Sequence, residues 1–143
     1  MPSVNFKPKG FHTVTPYLIV ADVNKVISFL EAAFDARELL KMPGENGRIA
    51  HAEVQIGDSI IMMGEPTGKY DAMPSMLYLY LEDVDDAFQR AVNAGATENQ
   101  QPADQFYGDR TAAVIGPQGN HWWMATHVKK MSEEELMAGG QPG

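Results

Sequence analysis

Hydrophobic and polar positions along this chain change their period several times, and the order of the changes repeats. From Thr13 to Val20 the residues are rich in Val, Ile, Thr and Tyr, the composition of a strand. Asp22 then stands where a helix N-cap belongs. Val23, Val26, Ile27, Leu30 and Phe34 follow at the spacing of a helix's buried face, and Asp35-Ala36 ends it. Arg37 to Met42 is a candidate strand, and Pro43-Gly44-Glu45-Asn46-Gly47 is a turn. Arg48 to Ile56 and Ser59 to Gly64 are two further strands around a tight Gly57-Asp58 connection.

The second half runs through the same plan. Met76 to Leu81 is a strand, and Asp83 caps a helix whose apolar face is Val84, Ala87, Phe88 and Ala91. Thr97 to Gly108 reads as a loop with at most one short strand. Arg110 to Ile115 and His121 to His127 are strands joined by Gly116-Pro117-Gln118-Gly119-Asn120. Tyr17, Leu18, Asp22 and Val23 align with Tyr78, Leu79, Asp83 and Val84 at one constant offset. Ala52-Glu53-Val54 and Ala112-Ala113-Val114 continue the match in order, which points to an internal repeat. Glu65 to Pro74 links the halves. Ser132-Glu133-Glu134-Glu135 has the form of a capping box, so a short helix is expected from Ser132 to Ala138, with Gly139 to Gly143 frayed. The expected architecture is α+β: two βαβββ modules, 11–64 and 75–128, in a single domain spanning 1–143, with 129–143 as a C-terminal helix and tail.

Composition narrows the classes of function. Of 143 residues 44% are hydrophobic and 21% charged, an ordinary balance for a globular protein with a real core. There is no cysteine, which removes disulfides and thiolate metal sites and suits a reducing cytoplasm. No apolar run reaches transmembrane length, and Met1 to Gly10 has no signal-type apolar stretch. A cytoplasmic protein is the expectation. The net charge of −8 repels phosphate backbones, so nucleic acid is not an expected partner, and without an apolar span neither is a membrane.

Several phrases carry a resemblance: Phe11-His12-Thr13-Val14-Thr15-Pro16-Tyr17-Leu18, Ile49-Ala50-His51-Ala52-Glu53, Ile61-Met62-Met63, Tyr107-Gly108-Asp109-Arg110 and Gly119-Asn120-His121-Trp122-Trp123-Met124-Ala125-Thr126-His127. Together with the βαβββ order they resemble the vicinal-oxygen-chelate superfamily of glyoxalases, bleomycin-resistance proteins and extradiol dioxygenases, in its PhnB-like branch. The resemblance implies a U-shaped sheet from each module, helices outside, a ligand cleft inside and a homodimer. In metal-dependent members the ligands lie on the first and last strand of each module. The corresponding residues here are Thr15, Ile61, Met76 and Trp123, none of them a His, Glu or Asp. The resemblance therefore carries over no metal site, and no cofactor is expected.

Strand alternation sorts the side chains. Val14, Pro16, Leu18 and Val20 share the helix side of the first strand, and Tyr17 points the other way. Leu77, Leu79 and Leu81 face the helix, leaving Met76, Tyr78 and Tyr80 for the cleft. Ala50, Ala52, Val54 and Ile56 form an apolar face opposite His51, Glu53 and Gln55. Matching Trp123 with Ile61 assigns His121, Trp123, Ala125 and His127 to the cleft. The expected ligand-binding set is Tyr17, His51, Glu53, Gln55, Met76, Tyr78, Tyr80, His121 and Trp123, with Met63 also in the lining. Aromatic walls with a few polar groups suit a small molecule. Plainer roles compete: Trp122 as core, Asp22 and Asp83 as caps, the tyrosines as filling of a closed core, and Asp109 and Arg110 as an ion pair or turn, with contact to an acidic ligand as their sharper alternative.

Three functions follow. The first is binding of a small aromatic or cationic molecule without chemistry. The second is an enzyme using His51, Glu53 and His121 as an off-position metal set, or His51 as a general base. The third is a structural module with a vestigial cleft.

Overall fold

The computed structural model describes residues 4–139. It divides into two compact units, one ending at Pro74 and the other beginning at Ser75. The first unit contains β1 (Tyr17–Ile19), α1 (Val23–Phe34), β2 (Arg37–Pro43), β3 (Ile49–Ile56) and β4 (Ser59–Gly64). The second contains β5 (Met76–Tyr80), α2 (Val84–Asn93), β6 (Thr97–Asp104), β7 (Asp109–Ile115), β8 (His121–His127) and α3 (Glu133–Gly139).

Each unit is a βαβββ module with a four-stranded mixed sheet. The strand orders are β1-β4-β3-β2 and β5-β8-β7-β6, so one order is the other carried along the chain. In both, the first strand runs parallel to the last, and the remaining pairings are antiparallel. The helix makes the crossover that a parallel pair requires.

The helices begin as their sequences dictate. Asp22 and Asp83 accept from the backbone N–H of Lys25 and Asp86, each at 3.1 Å. Both caps satisfy a donor the helix itself leaves unpaired. Their N1 residues are braced alike, from just past the end of β4 and from within β8. Glu65 Oε2 accepts from Val23 N–H at 2.9 Å, and Thr126 Oγ1 accepts from Val84 N–H at 3.0 Å. α1 buries Val23, Val26, Ile27, Leu30 and Phe34 against its sheet, and α2 buries Val84, Ala87, Phe88 and Ala91. Trp122 and Met124 are wholly buried in the second core, as are Leu18 and Val54 in the first. Emptying a site the size of Trp122 costs roughly 3–5 kcal/mol. The capping box is present: Ser132 Oγ accepts from Glu135 N–H, and Glu135 Oε1 accepts from Ser132 N–H. Gly139 closes α3, and the rest of the tail expected to fray, 140–143, lies outside the described residues.

Four expectations need correction. β1 is only three residues long, and Val14, placed on the helix side, lies before it at 82% exposure. Ala50, expected in the apolar face, is exposed at the start of β3. The segment expected as a loop after α2 contains an eight-residue strand, β6. Register shifts between Glu98 and Gln100, and again between Gln100 and Ala103, erase its two-residue alternation. As an outer strand it also tolerates Pro102 and polar residues on both faces. Met63, expected in the lining, is 0% exposed, because β4 turns Met63 and Ile61 to the helix side and Met62 to the other.

Candidate functional site

The sheet face opposite α1 gathers the first unit's aromatic and polar groups. β1 and β4 pair Tyr17 with Met62, and β4 and β3 pair Met62 with Glu53. The Tyr17 hydroxyl is 3.3 Å from His51 Nδ1, and their ring centroids are 5.7 Å apart. His51 Nε2 is 2.9 Å from Glu53 Oε2. Both ring nitrogens of His51 therefore have a polar neighbour, a hydroxyl at Nδ1 and a carboxylate at Nε2. Gln55, expected beside them, is tied down at the end of β3: it accepts from Arg37 and donates to Gly57 O.

A cavity of about 440 Å³ opens beside this row, lined by Tyr17, Ile19, Ala50, Glu65, Tyr70 and Met73 among others. Gly64 makes the close approach possible. A Cβ there would lie 2.8 Å from Ala50 O and 2.9 Å from the Tyr17 hydroxyl. Glu65 puts a carboxylate on the wall and is fixed by two backbone donors, Val23 N–H and Ile49 N–H. The polar content of the wall is small, which is the usual balance of a small-molecule site.

The second unit has a different cluster on the equivalent face. β5 and β8 pair Tyr78 with Trp123, as β1 and β4 pair Tyr17 with Met62. The structural counterpart of Trp123 is thus Met62 and not Ile61, whose side chain is buried against the helix side. Asp109, first residue of β7, is 3% exposed and is the hub. Its Oδ2 accepts from the Tyr78 hydroxyl at 2.8 Å and the Tyr80 hydroxyl at 2.9 Å, and its Oδ1 is 2.8 Å from His127 Nδ1. Burial alone would raise the Asp109 pKa, but the bonds from His127, Tyr78 and Tyr80 outweigh it and hold the carboxyl below its ordinary range. Tyr78 moves the other way, pushed far up by burial and by the Asp109 carboxylate that accepts its proton. Tyr80 is raised too, chiefly by its bond to Asp109.

The tyrosines do not fill a closed core: Tyr80 is 65% exposed, and the rings of Tyr78 and Tyr80 meet at 5.4 Å and 62°. Trp123 Nε1 is buried and, among the described residues, has no hydrogen-bond partner. Met76 is 68% exposed beside His121, whose backbone N–H donates to Ser75 O. Arg110 takes the plainer role, bonded twice to Asp85 and once to Asp104.

His51 and Glu53 belong to the first unit and His121 to the second. Among the described residues no group of three or more His, Asp or Glu could hold a metal ion, and no helix is long and apolar enough to cross a membrane. The expected ligand-binding set left out Tyr70 and Met73, and it left out Asp109 and His127 although alternation puts His127 on the cleft face. For Asp109 a signal existed: counting back in twos from Ala113 reaches Thr111 and then Asp109, on the face of a strand whose other residues are mostly apolar.

Comparison with known proteins agrees with this architecture. Residues 10–124 match the profile of the Glyoxalase/Bleomycin resistance protein/Dioxygenase superfamily. An uncharacterized protein of Mycobacterium tuberculosis is 34% identical, over 95% of this chain and 84% of its own. Among solved structures, TioX from Micromonospora superposes with a TM-score of 0.68 at 25% identity, over 80% of this chain and 97% of that one. The fosfomycin resistance protein FosX from Mesorhizobium loti does so with a TM-score of 0.60 at 16% identity, over 88% and 97%.

Proposed function

The chain belongs to the glyoxalase/bleomycin resistance protein/dioxygenase superfamily, and within it we propose a protein that binds a small aromatic or cationic molecule on the tyrosine-bearing faces of its sheets. The observation that carries this reading is the cavity of about 440 Å³ beside Tyr17. It falls within the several-hundred-Å³ range that holds a small organic ligand. Tyr17, Tyr70 and Met73 offer surface for a planar ring, and Glu65 adds negative charge to the wall. The open cavity also speaks against a vestigial, filled interior.

The residues do not fit the metal chemistry of the superfamily. By the resemblance, its metal ligands would fall at Thr15, which precedes β1, at Met76 and Trp123, and at Met62, which pairing puts in the place expected for Ile61; these offer a hydroxyl, two thioethers and an indole. Hard divalent cations select carboxylate and imidazole donors. The reading therefore routes no step through a metal. It includes Tyr17, His51, Glu53, Gln55, Met76, Tyr78, Tyr80, His121 and Trp123 as the contact set. It extends to a cytoplasmic homodimer of the PhnB-like branch, on the phrases around Phe11 and Trp123 and on the dimers common in the superfamily.

A thermal-shift screen of aromatic and cationic compounds tests it. Stabilising hits are expected for the wild type and are expected to weaken in Tyr17→Ala and Tyr70→Ala. A screen without hits, or hits indifferent to both substitutions, contradicts the reading.

A further inference from the structure

The Asp109 cluster does more than hold the second sheet together. Asp109 and His127 are register partners at the ends of β7 and β8, and the pairing sets imidazole against carboxylate. Two tyrosine hydroxyls already donate to Oδ2. An ionised carboxylate only accepts, so His127 Nδ1 must carry the hydrogen on the third bond. In the neutral ring, Nε2 is then the acceptor, fixed in tautomer by its neighbour. The His127 side chain is 56% exposed, while the Asp109 side chain is 5% exposed. A buried negative charge thus stands behind an accessible base, ready to stabilise the imidazolium that proton uptake would create. Tyr80 shares the same carboxylate and presents an exposed ring beside it.

We propose that Asp109, His127 and Tyr80 form a proton-accepting site for an aromatic hydroxyl compound. The ligand ring lies against Tyr80, and its O–H points at His127 Nε2. The O–H bond breaks, the proton passes to Nε2, and the products are a bound phenolate and an imidazolium held by Asp109. No other reactant is needed. Tyr78 and Tyr80 on β5 are the other titratable groups bonded to the carboxylate, with Tyr107, ahead of β7, beside them; the raised pKa values of Tyr78 and Tyr80 keep both hydroxyls neutral when the proton moves. His127 is the base, and Asp109 is a positioning residue. The inference rests on the aromatic-ligand reading for the kind of ring bound, and on its own geometry for the proton.

The test uses the full chain, 4-nitrophenol and its methyl ether, 4-nitroanisole. Near the pH at which free 4-nitrophenol is half ionised, binding is expected to increase the phenolate absorbance. The ether, lacking the proton, is expected to bind about tenfold more weakly. His127→Gln, its fold checked by circular dichroism, is expected to remove the absorbance change. Nitrogen-15 NMR of the ligand-free protein reads the tautomer directly: Nδ1–H is expected in the wild type, and Asp109→Asn, whose amide can donate to Nδ1, shifts it toward Nε2–H. Equal binding of the two probes, an absorbance change that survives His127→Gln, or an Nε2–H tautomer in the wild type each overturns the proposal. If neither probe binds while other aromatic hits act through Tyr17, this proposal falls and the broader reading stands. If no aromatic compound binds at all, the broader reading falls, and the tautomer is still measurable.

Discussion

The Tyr78 hydroxyl donates to Asp109 at 2.8 Å, tying the first strand of the second sheet to a carboxylate two strands away. Tyr80 makes the same bond one pleat further on. The cluster therefore crosses β5, β8 and β7, and its loss should be felt as stability of the second unit.

Asp109→Ala removes the acceptor of three charge-assisted bonds from a buried position. The expected cost is about 2–4 kcal/mol, read as a lower urea midpoint. Tyr80→Phe, with its ring mostly in water, is expected to cost about 1 kcal/mol or less. A cost for Tyr80→Phe as large as that for Asp109→Ala would mean that the carboxylate is not the hub.

The same cluster sets the ends of the pH range. Asp109 has a folded-state pKa below its unfolded value, so its contribution is present above the unfolded pKa of about 4 and is lost as pH falls through the folded one. Tyr78 has a folded-state pKa above its unfolded value, so its contribution is complete below about pH 10 and is lost as pH rises beyond that. Urea midpoints against pH should therefore fall at both extremes. Asp109→Asn should flatten the acid limb and Tyr78→Phe the alkaline limb. Unchanged limbs in these variants would refute the assignment.

Gly64→Ala tests the packing of the first site. The new methyl meets Ala50 O at 2.8 Å and the Tyr17 hydroxyl at 2.9 Å, so strand or ring must move. A cost of about 1–3 kcal/mol is expected, with weaker binding in the adjoining cavity. Gly57→Ala makes a useful contrast, since its Cβ would touch nothing and only its φ of +57° opposes the change. Equal ligand affinity in Gly64→Ala and wild type would place the binding surface elsewhere.

The repeat predicts paired effects at the helix starts. Glu65→Ala unpairs Val23 N–H and Ile49 N–H together, whereas Thr126→Val unpairs Val84 N–H and frees Leu81 O. Each is expected to cost roughly 1–3 kcal/mol by chemical denaturation. Glu65→Gln should recover only part of the loss, because its one amide oxygen can accept from one of the two N–H groups while its NH2 faces the other.

Most of the fold was legible because its signals are local. Asp22 and Asp83 cap helices whose apolar faces keep their period, and Ser132 with Glu135 closes a capping box. The phase of β4 was not legible. Ser59-Ile60-Ile61-Met62-Met63-Gly64 has almost no polar alternation, so only pairing with Tyr17 and Glu53 decides that Met62 faces the site. β6 was obscured by its bulges. The tyrosines of the site could be assigned from alternation, but their partner could not. Asp109 lies beside Arg110 and after a glycine, which reads as a turn until the fold buries it under Tyr78 and Tyr80. Tyr70 and Met73 lie in the segment read as a linker, and nothing local marks them as the wall of a cavity.

The central claim is that a small planar molecule binds beside Tyr17. An NMR titration of labelled protein with the strongest aromatic or cationic hit tests it most directly. Saturable shifts centred on Tyr17, Ile19, Tyr70 and Met73 are expected, and they should be lost in Tyr17→Ala. Saturable binding that leaves those four residues unmoved would contradict it.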